Sequence, residues 1–195
     1  MMKKEYTGIP AKALPVVAPA AEAAGCCIWD IEFVKEGPDR ILRITIDTEK
    51  EGGIGIADCE AVHREADRLL DETDPVGGGG YTLEISSPGI ERKLTMPLHF
   101  DACAGCEAEI KLFKPFEEDP PEEEKTEAEA ESKGKKGGSK KGKAAGKKKY
   151  TGVIEGYDEA SDSVVLETRD GRLMLPFTLI SSANLVYDFD ADPGI

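Results

Sequence analysis

Histidine is almost missing from this chain: only His63 and His99 occur among 195 residues. With them are missing any nucleophile–base pair, phosphate-cradling glycine loop or dinucleotide loop, so most enzyme classes lose their usual machinery. Acidic residues are abundant enough that a carboxylate-only active site stays open as an alternative. Long apolar runs are lacking too. Near the N-terminus, Lys12 and prolines 10, 15 and 19 interrupt the small apolar residues, so neither a signal-peptide core nor a membrane span is expected. The five cysteines are an odd number and include the adjacent Cys26 and Cys27, which suits a reducing, cytoplasmic setting better than a disulfide framework. No aromatic residue lies between Phe116 and Tyr150, and no core can form there. No cofactor, small-molecule substrate or membrane partner is expected.

What the chain does have is charge, unevenly spread. The formal net charge is -14, which argues against a surface that coats nucleic acid throughout. Residues 132–149 oppose this, with nine lysines and no acid: Lys133, Lys135, Lys136, Lys140, Lys141, Lys143, Lys147, Lys148 and Lys149. These could neutralise phosphates with little sequence preference. The acidic stretch Glu117 to Glu131 could instead fold back onto them. Residues 115–149 read as a disordered, acidic-then-basic insertion.

Before that insertion the periodicity is informative. Ala11 to Ala24 is alanine-rich and reads as helix, with Pro15 and Pro19 expected to break or kink it and Gly25 to stop it. Ile28 to Lys35 alternates, with Trp29, Ile31 and Phe33 as its apolar face. A Gly37-Pro38-Asp39 turn leads into Arg40 to Thr48, so the two segments read as an antiparallel hairpin. Ile56 to Thr73 switches to helical spacing through Cys59, Val62, Ala66, Leu69 and Leu70, with Gly55 as N-cap and Asp58 near the positive end. His63 lies beside that stripe, where a lone histidine usually packs or faces water.

Tyr81 to Ile85 alternates again as a strand and is stopped by Ser86-Ser87-Pro88-Gly89. Two hydroxyls, backbone N–H groups and the following Arg92 and Lys93 would suit a phosphate or carboxylate partner, although turn residues usually only turn. Residues 97–105 then form a short, partly helical connection. His99, Cys103 and Cys106 have a spacing seen at zinc sites, but a fourth ligand is not evident, and the reading adopted is no metal. Nor is a redox Cys-x-x-Cys in a thioredoxin-like setting apparent.

Five short strands follow: Glu107 to Phe113, Thr151 to Tyr157, Ser163 to Thr168, Arg172 to Leu175 and Ala183 to Tyr187. Asp170-Gly171 signals a hairpin, and Pro176 to Ser181 fits a single 3-10 turn. The expected fold is α+β. An N-terminal α-β-β-α-β domain over residues 1–97 precedes an SH3-like or Sm-like five-stranded β-barrel over residues 98–195, whose first hairpin carries the charged insertion.

The string L-E-I-S-S-P-G-I-E-R at Leu83 to Arg92 resembles the most recognisable motif of the bacterial ribosome maturation factor RimP family. The resemblance extends in order through Ile31 to Gly37, Arg43 to Asp47, Asp58 to Val62, Gly152 to Gly156 and Ala183 to Val186. It implies a two-domain, non-catalytic factor that binds the immature small ribosomal subunit, its proteins and RNA, in the bacterial cytoplasm. Carried to this chain, Ser86, Ser87, Gly89, Arg92 and Lys93 become candidates for ribosome contact or for positioning of the junction. Lys93 stands where the family usually has proline, and the insertion is longer and more charged than usual. The alternative is a protein–protein adaptor, docking by its acidic surface onto basic ribosomal proteins, or a general RNA-binding factor that uses an acidic two-domain body and the lysine-rich loop. A monomer is expected.

Overall fold

The computed structural model describes residues 2, 5–50, 52–116 and 147–187. The chain begins with helix α1 (Gly8–Ala23), then strands β1 (Cys27–Glu36) and β2 (Asp39–Asp47), helix α2 (Ile56–Thr73) and strand β3 (Thr82–Ser86). The strands form one sheet in the order β1-β2-β3, with β1 and β2 antiparallel and β2 and β3 parallel. This is the expected α-β-β-α-β order. Crossing from β2 to a parallel β3 requires a connection long enough to reverse direction, and α2 supplies it. Ala13, Val17, Ala20 and Ala21 of α1 and Val62, Ala66 and Leu70 of α2 are buried with Ile31, Leu42, Ile44 and Ile46 of the sheet.

Helix α1 runs through Pro15 and Pro19 without the break that was one of the two outcomes expected from sequence. The two prolines are four residues apart and both exposed, while the buried residues lie elsewhere around the helix. The carbonyls that lose an amide partner therefore lie toward water, which can hydrate them. Gly25 stops the helix as expected. Its φ of 71° lets Gly25 N–H reach Glu22 O at 2.9 Å and Cys26 N–H reach Ala21 O at 2.9 Å, closing a Schellman motif. In α2, the Asp58 carboxylate accepts the Gly55 N–H at 2.9 Å, and this bond holds the Asp58 carboxyl below its usual range.

Helix α3 (Pro97–Ala102) leads into a second sheet made of β4 (Glu107–Phe116), β5 (Lys147–Asp158), β6 (Ser163–Thr168), β7 (Gly171–Pro176) and β8 (Ile180–Leu185). Its order is β7-β6-β5-β4-β8, antiparallel throughout, with a 3-10 turn at Phe177–Leu179 before β8. Among the described residues no ladder joins β7 to β8, so the sheet is open. Ile110, Leu112, Ile154, Leu166, Leu175, Phe177 and Ile180 fill its own core. Strand structure reaches into both ends of the stretch 115–149 that was expected to be an insertion. Pro115 and Phe116 belong to β4, and Lys147, Lys148 and Lys149 belong to β5, because Phe116 pairs with Lys147 and Lys111 with Lys149. Lys133, Lys135, Lys136, Lys140, Lys141 and Lys143 lie outside the described residues.

Gly152 of β5 lies against the Glu167–Thr168 end of β6. A Cβ built there would stand 2.5 Å from Glu167 O and 3.1 Å from Thr168 Cγ2, both fixed by the ladder. Gly152→Ala should therefore destabilise the protein by about 1–3 kcal/mol through overpacking. Gly80→Ala, which meets nothing within 4 Å, should change stability by less than about 0.5 kcal/mol. Urea unfolding followed by circular dichroism checks both.

Candidate functional site

The Ser-Ser-Pro-Gly motif leaves β3 at the place where the two sheets meet, and a single irregularity in β1 organises that place. Ile28 pairs with Ile46, but the next pair is Asp30 with Thr45, so Trp29 is an extra residue in the strand. A bulge of this kind re-aims a side chain. Strict alternation would put Trp29 beside Ile31 and Phe33. Instead it leaves the first core, is 8 % exposed, and packs in the core of the second sheet.

Every part of Trp29 is engaged there. Its ring stacks on the His99 imidazole, with centroids 4.1 Å apart and planes 12° from parallel. The indole Nε1–H donates to Lys93 O at 3.2 Å, and the Arg92 guanidinium lies over the ring at 5.5 Å. Histidine 99 is 2 % exposed and fixed at both nitrogens. Nδ1 accepts the Thr95 N–H at 3.0 Å and approaches the Met96 N–H at 3.4 Å, so the imidazole caps α3 in place of the usual Glu or Gln. Nε2 must then carry the proton, and it donates to Trp29 O at 2.8 Å.

Two carboxylates complete the junction. Asp30 accepts hydrogen bonds from Thr95 Oγ1 at 3.1 Å, Ile31 N–H at 2.7 Å and Tyr6 O–H at 3.2 Å. Burial, reinforced by the Asp30 charge, pushes the Tyr6 phenol well above its ordinary range. At the end of β2, Asp47 Oδ2 accepts Arg92 Nη1–H, while its buried Oδ1 has no partner among the described residues. The connection itself is not loose. Leu94 N–H donates to Ala183 O and Leu185 N–H donates to Arg92 O, both at 2.9 Å, so residues 92–94 lie along the edge of β8.

The sequence-derived candidates are thus divided between two directions. Arg92 turns inward to Asp47 and Trp29, and Lys93 lies 3.8 Å from Glu32 at the surface. Ser86 ends β3 opposite Thr45, whereas Ser87 and Gly89 are exposed, and neither serine hydroxyl is hydrogen-bonded among the described residues. Gly89 has φ 72°, the left-handed geometry of a turn. Beside it Ile90 is 56 % exposed, an apolar side chain left out of both cores. Sequence reasoning did not single out Ile90, Trp29, Asp30, Asp47 or Thr95. The available signal for Trp29 was its being the only tryptophan; nothing local announced the others.

His63 lies in a different place, in an open groove of about 510 Å³ between α2 and β3 shared with Cys59, Glu60, Arg64, Asp67 and Ile85. In the fold His99, the first residue of the His99, Cys103 and Cys106 spacing, is engaged otherwise. Both His99 nitrogens are taken by backbone groups, and no cluster of three or more His, Cys, Asp or Glu side chains suited to a metal occurs among the described residues. Cys103 is 5 % exposed, and burial pushes its thiol up to about 11.

Two predictions follow from this geometry. Arg92→Ala leaves both Asp47 oxygens unpaired and should cost about 1–3 kcal/mol, with Asp47→Ala in the same chain recovering part of the loss. The fluorescence of the single tryptophan reports this directly in urea titrations. Alkylation at neutral pH should modify the exposed Cys27 and Cys106 first, and Cys26 and Cys103 only on unfolding, as read by mass spectrometry.

Residues 16–91 match the family model described as the RimP N-terminal domain. The match takes in the second half of α1, the β1–β2 hairpin with its bulge, α2, β3 and the Ser-Ser-Pro-Gly turn, and it ends one residue before Arg92. Over these residues the chain is similar to the RimP N-terminal domain.

Proposed function

We propose that this protein binds the immature small ribosomal subunit and assists its assembly without catalysing a reaction. The observation that carries the reading is the RimP N-terminal domain match over residues 16–91, ending in a turn whose polar groups are exposed. In this reading residues 1–97 form the docking domain. Residues 98–195 form a second, SH3-like barrel domain, for which the strand order β7-β6-β5-β4-β8 and the 3-10 turn before β8 are supporting features. The exposed loop Ser87 to Glu91 makes the specific contact through the Ser87 hydroxyl, the backbone amides and Ile90. Arg92 and Trp29 position that loop rather than touching the partner. The acidic body, net -14, faces basic ribosomal proteins, and the lysine tract adds RNA affinity. The protein acts as a cytoplasmic monomer. Among the described residues, no helix is long and apolar enough to cross a membrane.

Co-sedimentation tests the reading. The purified protein should travel with free small subunits and not with complete ribosomes, at both low and moderate salt. Ile90→Asp should weaken that association by about tenfold or more, the loss expected for one central apolar contact, while leaving the unfolding midpoint unchanged. Absence of any association with small subunits would defeat the proposal.

A further inference from the structure

The end of the β4–β5 ribbon carries an aromatic residue that neither core uses. Phe113 is 61 % exposed, although its neighbour Leu112 is 4 % exposed. The cause lies first in the alternation of β4, whose Ala108, Ile110 and Leu112 face the core so that Phe113 faces out, and then in the ladder, which supplies no partner to cover it. Lys111 pairs with Lys149 and Phe116 with Lys147, so Leu112 to Pro115 oppose Lys148 alone. Pro115 cannot donate to the ladder, and the surplus residues bulge away from β5. Tyr150 holds the far side of the bulge, its O–H donating to Phe116 O at 2.8 Å. The exposure of Phe113 is therefore built into the strand pairing.

The surroundings of Phe113 are cationic. Lys111, Lys114, Lys147, Lys148 and Lys149 all belong to this ribbon. Glu109 holds Lys111 at 3.1 Å and Lys149 at 2.6 Å, and Asp170 holds Lys147 at 3.2 Å. Lys114 and Lys148 make no ion pair among the described residues. A protein partner would be poorly matched by this patch, because lysine is depleted from protein–protein interfaces. A single strand of RNA offers what the patch lacks: a flat base for the aromatic face and phosphates on either side for the ammonium groups.

We propose that the bulged end of the β4–β5 ribbon is a stacking platform for single-stranded RNA, with Phe113 receiving a base and Lys114 and Lys148 the flanking phosphates. The choice of ribosomal RNA as the natural strand rests on the assembly reading above; the stacking geometry does not. Duplex RNA keeps its bases stacked on one another and gains nothing from Phe113.

The test uses the full chain and fluorescence anisotropy with a labelled oligouridylate and with an RNA duplex of the same length. Phe113→Ala should weaken oligouridylate binding by about 5- to 150-fold, the range of one lost base stack, leave its salt dependence unchanged, and leave duplex binding as it was. Phe113→Tyr should restore binding. Replacing Lys114 and Lys148 by alanine together should instead reduce the salt slope by about 1.4, the share of two phosphates on a single strand. Wild-type oligouridylate affinity in Phe113→Ala, or equal losses for strand and duplex, would overturn the proposal. So would a lowered melting temperature of Phe113→Ala with unaltered RNA affinity, which would show the ring to be covered by another part of the chain. Co-sedimentation of the same variants separates the two readings. Subunit association with no Phe113-dependent strand binding removes only the platform, and Phe113-dependent strand binding with no subunit association removes only the assembly role.

Discussion

One bulge, at Trp29, ties the two halves of this molecule together. By slipping one residue out of register, β1 delivers a large aromatic side chain out of its own core and into that of the neighbouring sheet. Burial of an indole on this scale is worth several kcal/mol, and removing it would cost about 3–5 kcal/mol. The polar groups around the indole then fix direction rather than add bulk stability. His99, Lys93 O and Arg92 leave the ring one orientation, and Asp30 and Asp47 anchor the two ends of the connecting segment. With residues 92–94 paired to β8 as well, the connection behaves as part of the second sheet.

This division of labour accounts for the composition of the segment Ser86 to Arg92. The arginine at its end neutralises a buried carboxylate and covers an indole, two structural tasks that need a planar, permanently charged group. The serine, glycine and isoleucine before it face water. A rigid base below and an exposed, unpaired tip above are the properties of a docking loop, since a preorganised contact loses little entropy on binding. The same contrast recurs at the far end of the second sheet, where the pairing of Phe116 with Lys147 holds a bulge that presents Phe113.

Much of this architecture was legible in the sequence, and the failures have physical reasons. The β1–β2 hairpin, α2 with its Gly55 cap, the Gly25 stop and β6 were readable because each depends on local periodicity or local turn chemistry. The break allowed for in α1 does not occur: the local cost of the prolines is offset by burying Ala13, Val17, Ala20 and Ala21, which the local sequence does not reveal. Alternation placed Trp29 with Ile31, and no local signal could show that a second core would draw it away. Lys147, Lys148 and Lys149 were counted with the charged tract because they look solvated, yet the partner strand recruits them into β5. Of the candidate site, the Ser-Ser-Pro-Gly turn was visible as a turn. The inward role of Arg92 was not, since its partner Asp47 lies 45 positions away in the chain.

The central claim is that a loop held from below by Trp29 and Arg92 makes the specific contact with the immature small subunit. Hydrogen exchange of the protein alone and bound to isolated immature small subunits tests it most directly. The account predicts new protection at Ser87 and Gly89 to Glu91 on binding, with the amides of Leu94 and Leu185 slow in both states. Protection confined to other segments, with the Ser87 to Glu91 loop exchanging as fast in the complex as alone, would contradict it.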